Sequence, residues 1–194
     1  MNRAVFLDRD GVLIEDVHLL TRSDKIRILE GVPQALKKLK ESGYLLIVVS
    51  NQTVISRGLM TEQEVKALQT QVERKLEESG APPIGGFYFC PHHPNATILF
   101  YRKDCDCRKP RPGLLLHAAR EFDIDLPGSF IVGDRITDII AGARAGCRTI
   151  LVQTGAHLAP PIETSSPLDT TISPDYICAN LDEALRWILR VGLA

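Results

Sequence analysis

Residues 4–11 read Ala-Val-Phe-Leu-Asp-Arg-Asp-Gly, an apolar run closed by two acids and a glycine. Four apolar residues are too few for a helix and suit one short buried strand, which stops abruptly at Asp8. The same grammar returns along the chain. Tyr44 to Val49 (Tyr-Leu-Leu-Ile-Val-Val) is unbroken and apolar, as expected of a strand covered on both faces, and Ser50-Asn51 follows it. Gly86 to Phe89 leads into Cys90, Phe130-Ile-Val132 leads into Gly133-Asp134, and Arg148 to Val152 is a further strand.

Helical periods separate these runs. Val32, Ala35, Leu36 and Leu39 share a face, and Gly43 ends that segment. Thr61-x-x-Glu64 is a capping box, a hydroxyl at the N-cap with a Glu three residues on. It opens a helix striped by Val65, Leu68, Val72 and Leu76, closed near Gly80 and Pro82-Pro83. Helices are also predicted around Leu115, Ala118 and Phe122, over Ile139 to Ala145, and after the capping signal Asn180-x-x-Glu183. Residues 90–112 are polar and irregular, and 155–174, rich in Pro, Ser and Thr, reads as a long surface loop. Strand–helix alternation predicts an α/β fold with a mainly parallel sheet and helices on both faces.

With 194 residues the chain has the length of one full-sized domain, and we read 1–194 as a single one. A composition of 44 % hydrophobic and 24 % charged residues excludes a disordered polymer, a collagen and a coiled-coil rod. Lys and Arg number 23 against 24 Asp and Glu, so no broad field draws nucleic acid or an anionic membrane. No apolar run approaches the roughly 20 residues of a membrane span. The N-terminal run is cut short by Asp8 and does not read as a signal peptide. Five cysteines, an odd number, point to a reducing cytoplasm rather than a disulfide framework. Nothing calls for a partner chain, so the expectation is a monomer.

Ligands of parallel sheets sit at the carboxyl ends of the strands. Asp8, Ser50-Asn51, Cys90 and Asp134 stand there. Asp8-x-Asp10-Gly11 sets two acids two residues apart, and such a pair repels unless a cation or proton intervenes. Mg²⁺ prefers one or two carboxylates with phosphate and water, and a carboxylate can itself attack phosphorus. Ser50-Asn51 offers a hydroxyl and an amide, Lys109 a positive charge for a transferring phosphoryl group, and Gly133-Asp134-x-x-x-Asp138 another pair of acids. Singly, each has a plain alternative: an Asp-Gly turn, a helix cap, an exposed lysine, a first-turn acid. Their order and their strand ends make them informative together.

Asp8-Arg9-Asp10-Gly11, Ser50-Asn51-Gln52, Lys109-Pro110 and Gly133-Asp134-x-x-x-Asp138 resemble the four motifs of the haloacid dehalogenase-like phosphatases, over residues 4–152. The resemblance implies a Rossmann-like three-layer sandwich, Mg²⁺ dependence and a phosphoaspartyl intermediate. Position by position it makes Asp8 the nucleophile and Asp10 the general acid/base. It also gives Ser50 and Lys109 the phosphoryl group, and Mg²⁺ to Asp8, the Asp10 carbonyl and Asp134.

Cys90-Pro-His92 and, after twelve residues, Cys105-Asp-Cys107 supply three thiolates and an imidazole, a closed tetrahedral set typical of structural Zn²⁺. His93 rivals His92 on spacing, and reduced thiols in a loop are the plain alternative. Cys147 and Cys178 fall in apolar surroundings and read as small core residues. Cys-Pro-His-His-Pro with Cys-Asp-Cys-Arg-Lys-Pro is similar to the small zinc-containing phosphatases that remove the 7-phosphate of D-glycero-D-manno-heptose 1,7-bisphosphate, with the histidinol-phosphate phosphatases as near relatives. In that group Arg108 would help recognise substrate, and Asn51-Gln52 through Arg57 would border the pocket, with Arg135 standing where Lys is usual. The chain departs from the group at His18-Leu19-Leu20 and at Thr53-Val54, both beside the substrate rather than the phosphoryl group. At this length no large cap domain is expected, so the zinc loop and the 12–25 and 51–60 loops would shape the pocket.

Two other classes compete. A phospho-accepting receiver domain would carry its acceptor Asp after the third strand, where this chain has Cys90. A zinc-ribbon module for nucleic acid would need basic and aromatic stripes that the balanced charge does not provide.

Overall fold

The computed structural model describes residues 1–155 and 172–192. Six strands form one sheet in the order β3-β2-β1-β4-β5-β6, with every pairing parallel. They are β1 Arg3–Leu7, β2 Tyr44–Asn51, β3 Gly86–Cys90, β4 Phe130–Gly133, β5 Arg148–Val152 and β6 Tyr176–Cys178. The helices are α1 Val32–Glu41, α2 Thr53–Ser56, α3 Glu62–Glu78, α4 Gly113–Glu121, α5 Ile136–Ala145 and α6 Leu181–Val191.

The period of two along β1 sorts its side chains to two cores. Val5 and Leu7 pack with residues of α1, α3 and α6, while Ala4 and Phe6 pack with α4 and α5. Three layers follow from that division. The capping box of α3 forms, with Glu64 N–H donating to Thr61 Oγ1 and Thr61 N–H donating to the Glu64 carboxylate.

Register positions the site. Leu7 lies opposite Val48 on one side and Val132 on the other. Asp8 therefore leaves β1 level with the ends of β2 and β4, and its N–H donates to Val132 O at 3.0 Å. The strand order reverses between β1 and β4, which opens a crevice at their carboxyl ends.

Some elements differ from the sequence reading. Ser50 and Asn51 belong to the end of β2 rather than following it, and α2 and β6 are additional. The surface loop expected over 155–174 lies outside the described residues except at its ends. Among the described residues no inserted domain covers the crevice, and no helix is long and apolar enough to cross a membrane.

Candidate active site

Asp8 and Asp10 stand on the turn after β1. Gly11 makes that turn with φ +81°, and a Cβ there would meet the Asp134 carboxylate at 2.5 Å. Only a residue without a side chain lets the turn pass so close to the acid at the end of β4. Asp134 is fully buried. Asp138, also fully buried, sits in the first turn of α5, where its Oδ2 accepts from Arg135 N–H at 3.1 Å and the helix dipole favours a negative charge.

Lys109 ties these acids together. Its Nζ lies 2.5 Å from Asp138 Oδ1 and 3.2 Å from Asp8 Oδ1, and donates to Val49 O at 2.8 Å. Burial opposes its charge, but Asp138 and Asp8 outweigh burial and push its pKa up to about 12. Burial pushes Asp138 up to about 6, helped by the Asp8 charge and opposed by Lys109. Carboxylate oxygens of Asp8, Asp134 and Asp138 converge within 4.8 Å of one another. Three acids face Lys109 and, at 4.0 Å from Asp134, Arg135, so an excess of negative charge remains. Hard oxygen donors with that excess fit Mg²⁺.

Asp10 is held apart from this cluster. Arg9, 1 % exposed, grips its carboxylate through Nε at 3.2 Å and Nη2 at 2.8 Å. Burial raises the Asp10 pKa, Arg9 opposes the shift, and Asp8 adds to it.

A cavity of about 220 Å³ opens above these groups, and Asp8, Asp10, Ser50, Asn51, Gln52, Arg57, Arg108, Lys109 and Arg135 all line it. The sequence-predicted residues thus meet at one place, with Asp134 buried behind them. Arg57, Arg108 and Arg135 bring three cations to the cavity wall, and His93 also lines it. Arg135 also donates to Asp16 at 2.9 Å, and Asp16 accepts from His18 N–H, so the loop after β1 is tied to the start of α5. His18 and Leu19 both hold positive φ in that loop.

Sequence reasoning did not single out Arg9. A lone arginine between two acids reads as solvated, and only the fold shows that it is buried. The spacing makes Asp138 half of an acid pair, and only the fold brings it together with Asp8 and Asp134.

A second cluster adjoins the cavity. The Sγ atoms of Cys90, Cys105 and Cys107 lie 3.1–3.5 Å apart, and His92 Nδ1 is 3.4 Å from Cys107 Sγ. Sulfurs around a tetrahedral ion with bonds of about 2.3 Å would be roughly 3.8 Å apart, so a small expansion admits one. His93 lies outside this group: its Nδ1 accepts from Asn95 N–H at 3.0 Å, and it lines the cavity instead. Arg108 Nη1 donates to His92 O at 2.9 Å and so links the cluster to the cavity wall. Cys147 and Cys178 are buried in the two cores.

Comparison with known proteins agrees with this geometry. The family model described as HAD-hydrolase-like matches residues 106–184. The D-glycero-β-D-manno-heptose-1,7-bisphosphate 7-phosphatase of Photorhabdus laumondii is 41 % identical over 166 residues, covering 85 % of this chain and 88 % of that protein. The enzyme of the same name from Escherichia coli K12 is 38 % identical over 84 % of this chain and 85 % of its own length. The crystal structure of a D,D-heptose 1,7-bisphosphate phosphatase from B. bronchiseptica, complexed with magnesium and phosphate, superposes with a TM-score of 0.80. It is 30 % identical and covers 97 % of this chain and 99 % of that one.

Proposed function

Since the chain belongs to the haloacid dehalogenase-like phosphatases, we propose that it is a Mg²⁺-dependent phosphomonoesterase that removes the 7-phosphate of D-glycero-D-manno-heptose 1,7-bisphosphate. The residues 1–194 act as one phosphatase domain. With all groups of the site on one chain and three clustered free thiols, we take it to work as a monomer in a reducing cytoplasm.

Asp8 is the nucleophile. Arg9 N–H at 2.8 Å and Lys109 Nζ hold its Oδ1, which fixes the plane of the carboxylate. The bond from Asp8 to phosphorus forms as the bond from phosphorus to the sugar oxygen breaks, and Asp10 gives that oxygen its proton. Asp10 then takes a proton from the water that cleaves the phosphoaspartate. Ser50 and Lys109 steady the phosphoryl oxygens. Asp8, Asp134 and the Asp10 carbonyl, with Asp138 close by, would hold Mg²⁺, which when bound neutralises charge on the phosphoryl group. Cys90, His92, Cys105 and Cys107 would hold a structural Zn²⁺ with no open position.

The observation that carries the choice of substrate is the arginine wall. A sugar bisphosphate brings a second dianion to Arg57, Arg108 and Arg135, whereas histidinol phosphate brings an ammonium group to the same cations. Phosphate release with Mg²⁺ should therefore show kcat/KM at least about 100-fold higher for the heptose bisphosphate than for histidinol phosphate, a difference of about 2.7 kcal/mol. Equal rates, or preference for histidinol phosphate, would refute the assignment. The Asp8→Asn protein serves as the blank, and full activity in it would refute the phosphoaspartyl mechanism.

A further inference from the structure

Gln52 lines the cavity, yet it is 3 % exposed and its amide is committed to protein partners. Nε2 donates to Ser50 Oγ at 2.9 Å and to Asp10 Oδ2 at 3.4 Å, while Oε1 accepts from Arg9 Nη2 at 3.2 Å. A glutamine has two N–H donors and one carbonyl oxygen, so no donor is left for a substrate hydroxyl. Arg9 turns the same Nη2 on both Asp10 oxygens, at 2.8 and 3.1 Å, and adds Nε at 3.2 Å. The two side chains form a buried brace that starts at Ser50 on β2 and ends on Asp10.

We infer that Gln52 and Arg9 are positioning residues that aim Asp10 at the oxygen of the departing alcohol, and that Gln52 is not a substrate contact. The inference rests on the reading of Asp10 as the acid/base. A carboxyl must come within about 2.6–3.2 Å of the oxygen it protonates. On a short, partly exposed side chain that distance is lost by a single rotamer change. The guanidinium fork is planar and rigid, which restricts the carboxylate to one orientation. Gln52 in turn fixes the fork through Oε1, from an anchor at Ser50 Oγ.

Aim matters only where a proton is needed. An alkoxide leaving from a sugar phosphate requires one as the bond to phosphorus breaks, whereas p-nitrophenolate leaves without it. The experiment is rapid-quench measurement of the first turnover, heptose bisphosphate against p-nitrophenyl phosphate, for the parent, Gln52→Met, Arg9→Lys and Asp10→Asn. We expect both brace variants to lose about 10–100-fold in first-turnover release from the sugar, within the range of general acid catalysis. KM for the sugar should stay within about 2-fold. Release of p-nitrophenol in the first turnover should fall less than about 3-fold and precede a slower steady state, because the same carboxylate must later activate water. That retained burst also reports that the variants are folded. Equal losses on both compounds, or a raised KM with unchanged kcat, would overturn the brace and return Gln52 to a structural or substrate-binding role. Should Asp10→Asn lose both first turnovers alike, Asp10 is not the proton donor, and the fault lies in the mechanism rather than in the brace.

Discussion

Asn51 gives both ends of its amide to a single residue. Its Oδ1 accepts from Lys109 N–H at 3.1 Å and its Nδ2 donates to Lys109 O at 3.0 Å. Lys109 reaches Asp8, Asp138 and Val49 O only while its backbone is held at that height, so the amide acts on the phosphoryl site through Lys109. Asn51→Ala removes two hydrogen bonds of about 1 kcal/mol each and leaves a peptide unit underpaired. We expect kcat to fall about 10-fold or more with little change in KM, alongside a loss of about 1–3 kcal/mol in stability, read by steady-state kinetics and chemical unfolding. A KM effect alone would instead make Asn51 a substrate contact. The acids were legible at this scale because several of them recur at the ends of apolar strands, which the Asp-Gly turn or first-turn acid that explains each one singly does not account for. The bracing residues were not, since an arginine beside two acids and an amide after a strand are ordinary until burial and partners are known.

Among the elements, those with a strong period and a cap were legible, α3 and α6 above all. α2 has four residues and no side-chain cap, and β6 has three residues on the sheet edge, so neither carries a pattern long enough to read. Helix α5 shows how packing overrides propensity. Gly142 in its interior costs about 1 kcal/mol relative to alanine in an isolated helix. A Cβ at Gly142, however, would lie 2.1 Å from Ile131 Cγ2 and 3.0 Å from Thr149 Cγ2, on β4 and β5. The helix rests on the sheet at this glycine, and its first turn carries Asp138. Gly142→Ala must lift α5 or displace Ile131, an overpacking cost of about 1–3 kcal/mol that exceeds the gain in propensity. Thermal unfolding should therefore show a lower Tm and, because Asp138 moves with the helix, reduced activity. A rise in Tm would mean that the contact relaxes freely.

At the level of the molecule, the rule that ligands sit at strand carboxyl ends located the crevice before the strand order was known. The order itself was hidden, because β1 pairs with β2 and β4 through contacts far apart in sequence. What holds the 90–112 segment against the crevice is a separate question of energy. Ile98, Leu99 and Phe100 are exposed at 40, 73 and 75 %, so little apolar burial anchors this stretch. Hydrogen bonds hold it at Ile98 N–H to Ser56 O, at Tyr101 to Glu62 and at Lys109 to Asn51, and the cysteine cluster is a further tie: Cys107 lies one residue before Arg108 and two before Lys109. Metal binding at a closed site contributes folding energy directly, and here it would fall on the segment that delivers both cations to the cavity. Elemental analysis should find about one zinc per chain, lost in Cys105→Ser. That variant should keep the sheet, seen as a far-UV spectrum near that of the parent, while losing about 10-fold or more in kcat/KM through displacement of Arg108 and Lys109. Zinc-free parent protein with full activity would show instead that the thiols alone hold the loop. Loss of zinc without loss of activity in Cys105→Ser would uncouple the cluster from Arg108 and Lys109, and would show that contacts such as those of Lys109 with Asn51, Val49 O, Asp8 and Asp138 suffice to place them.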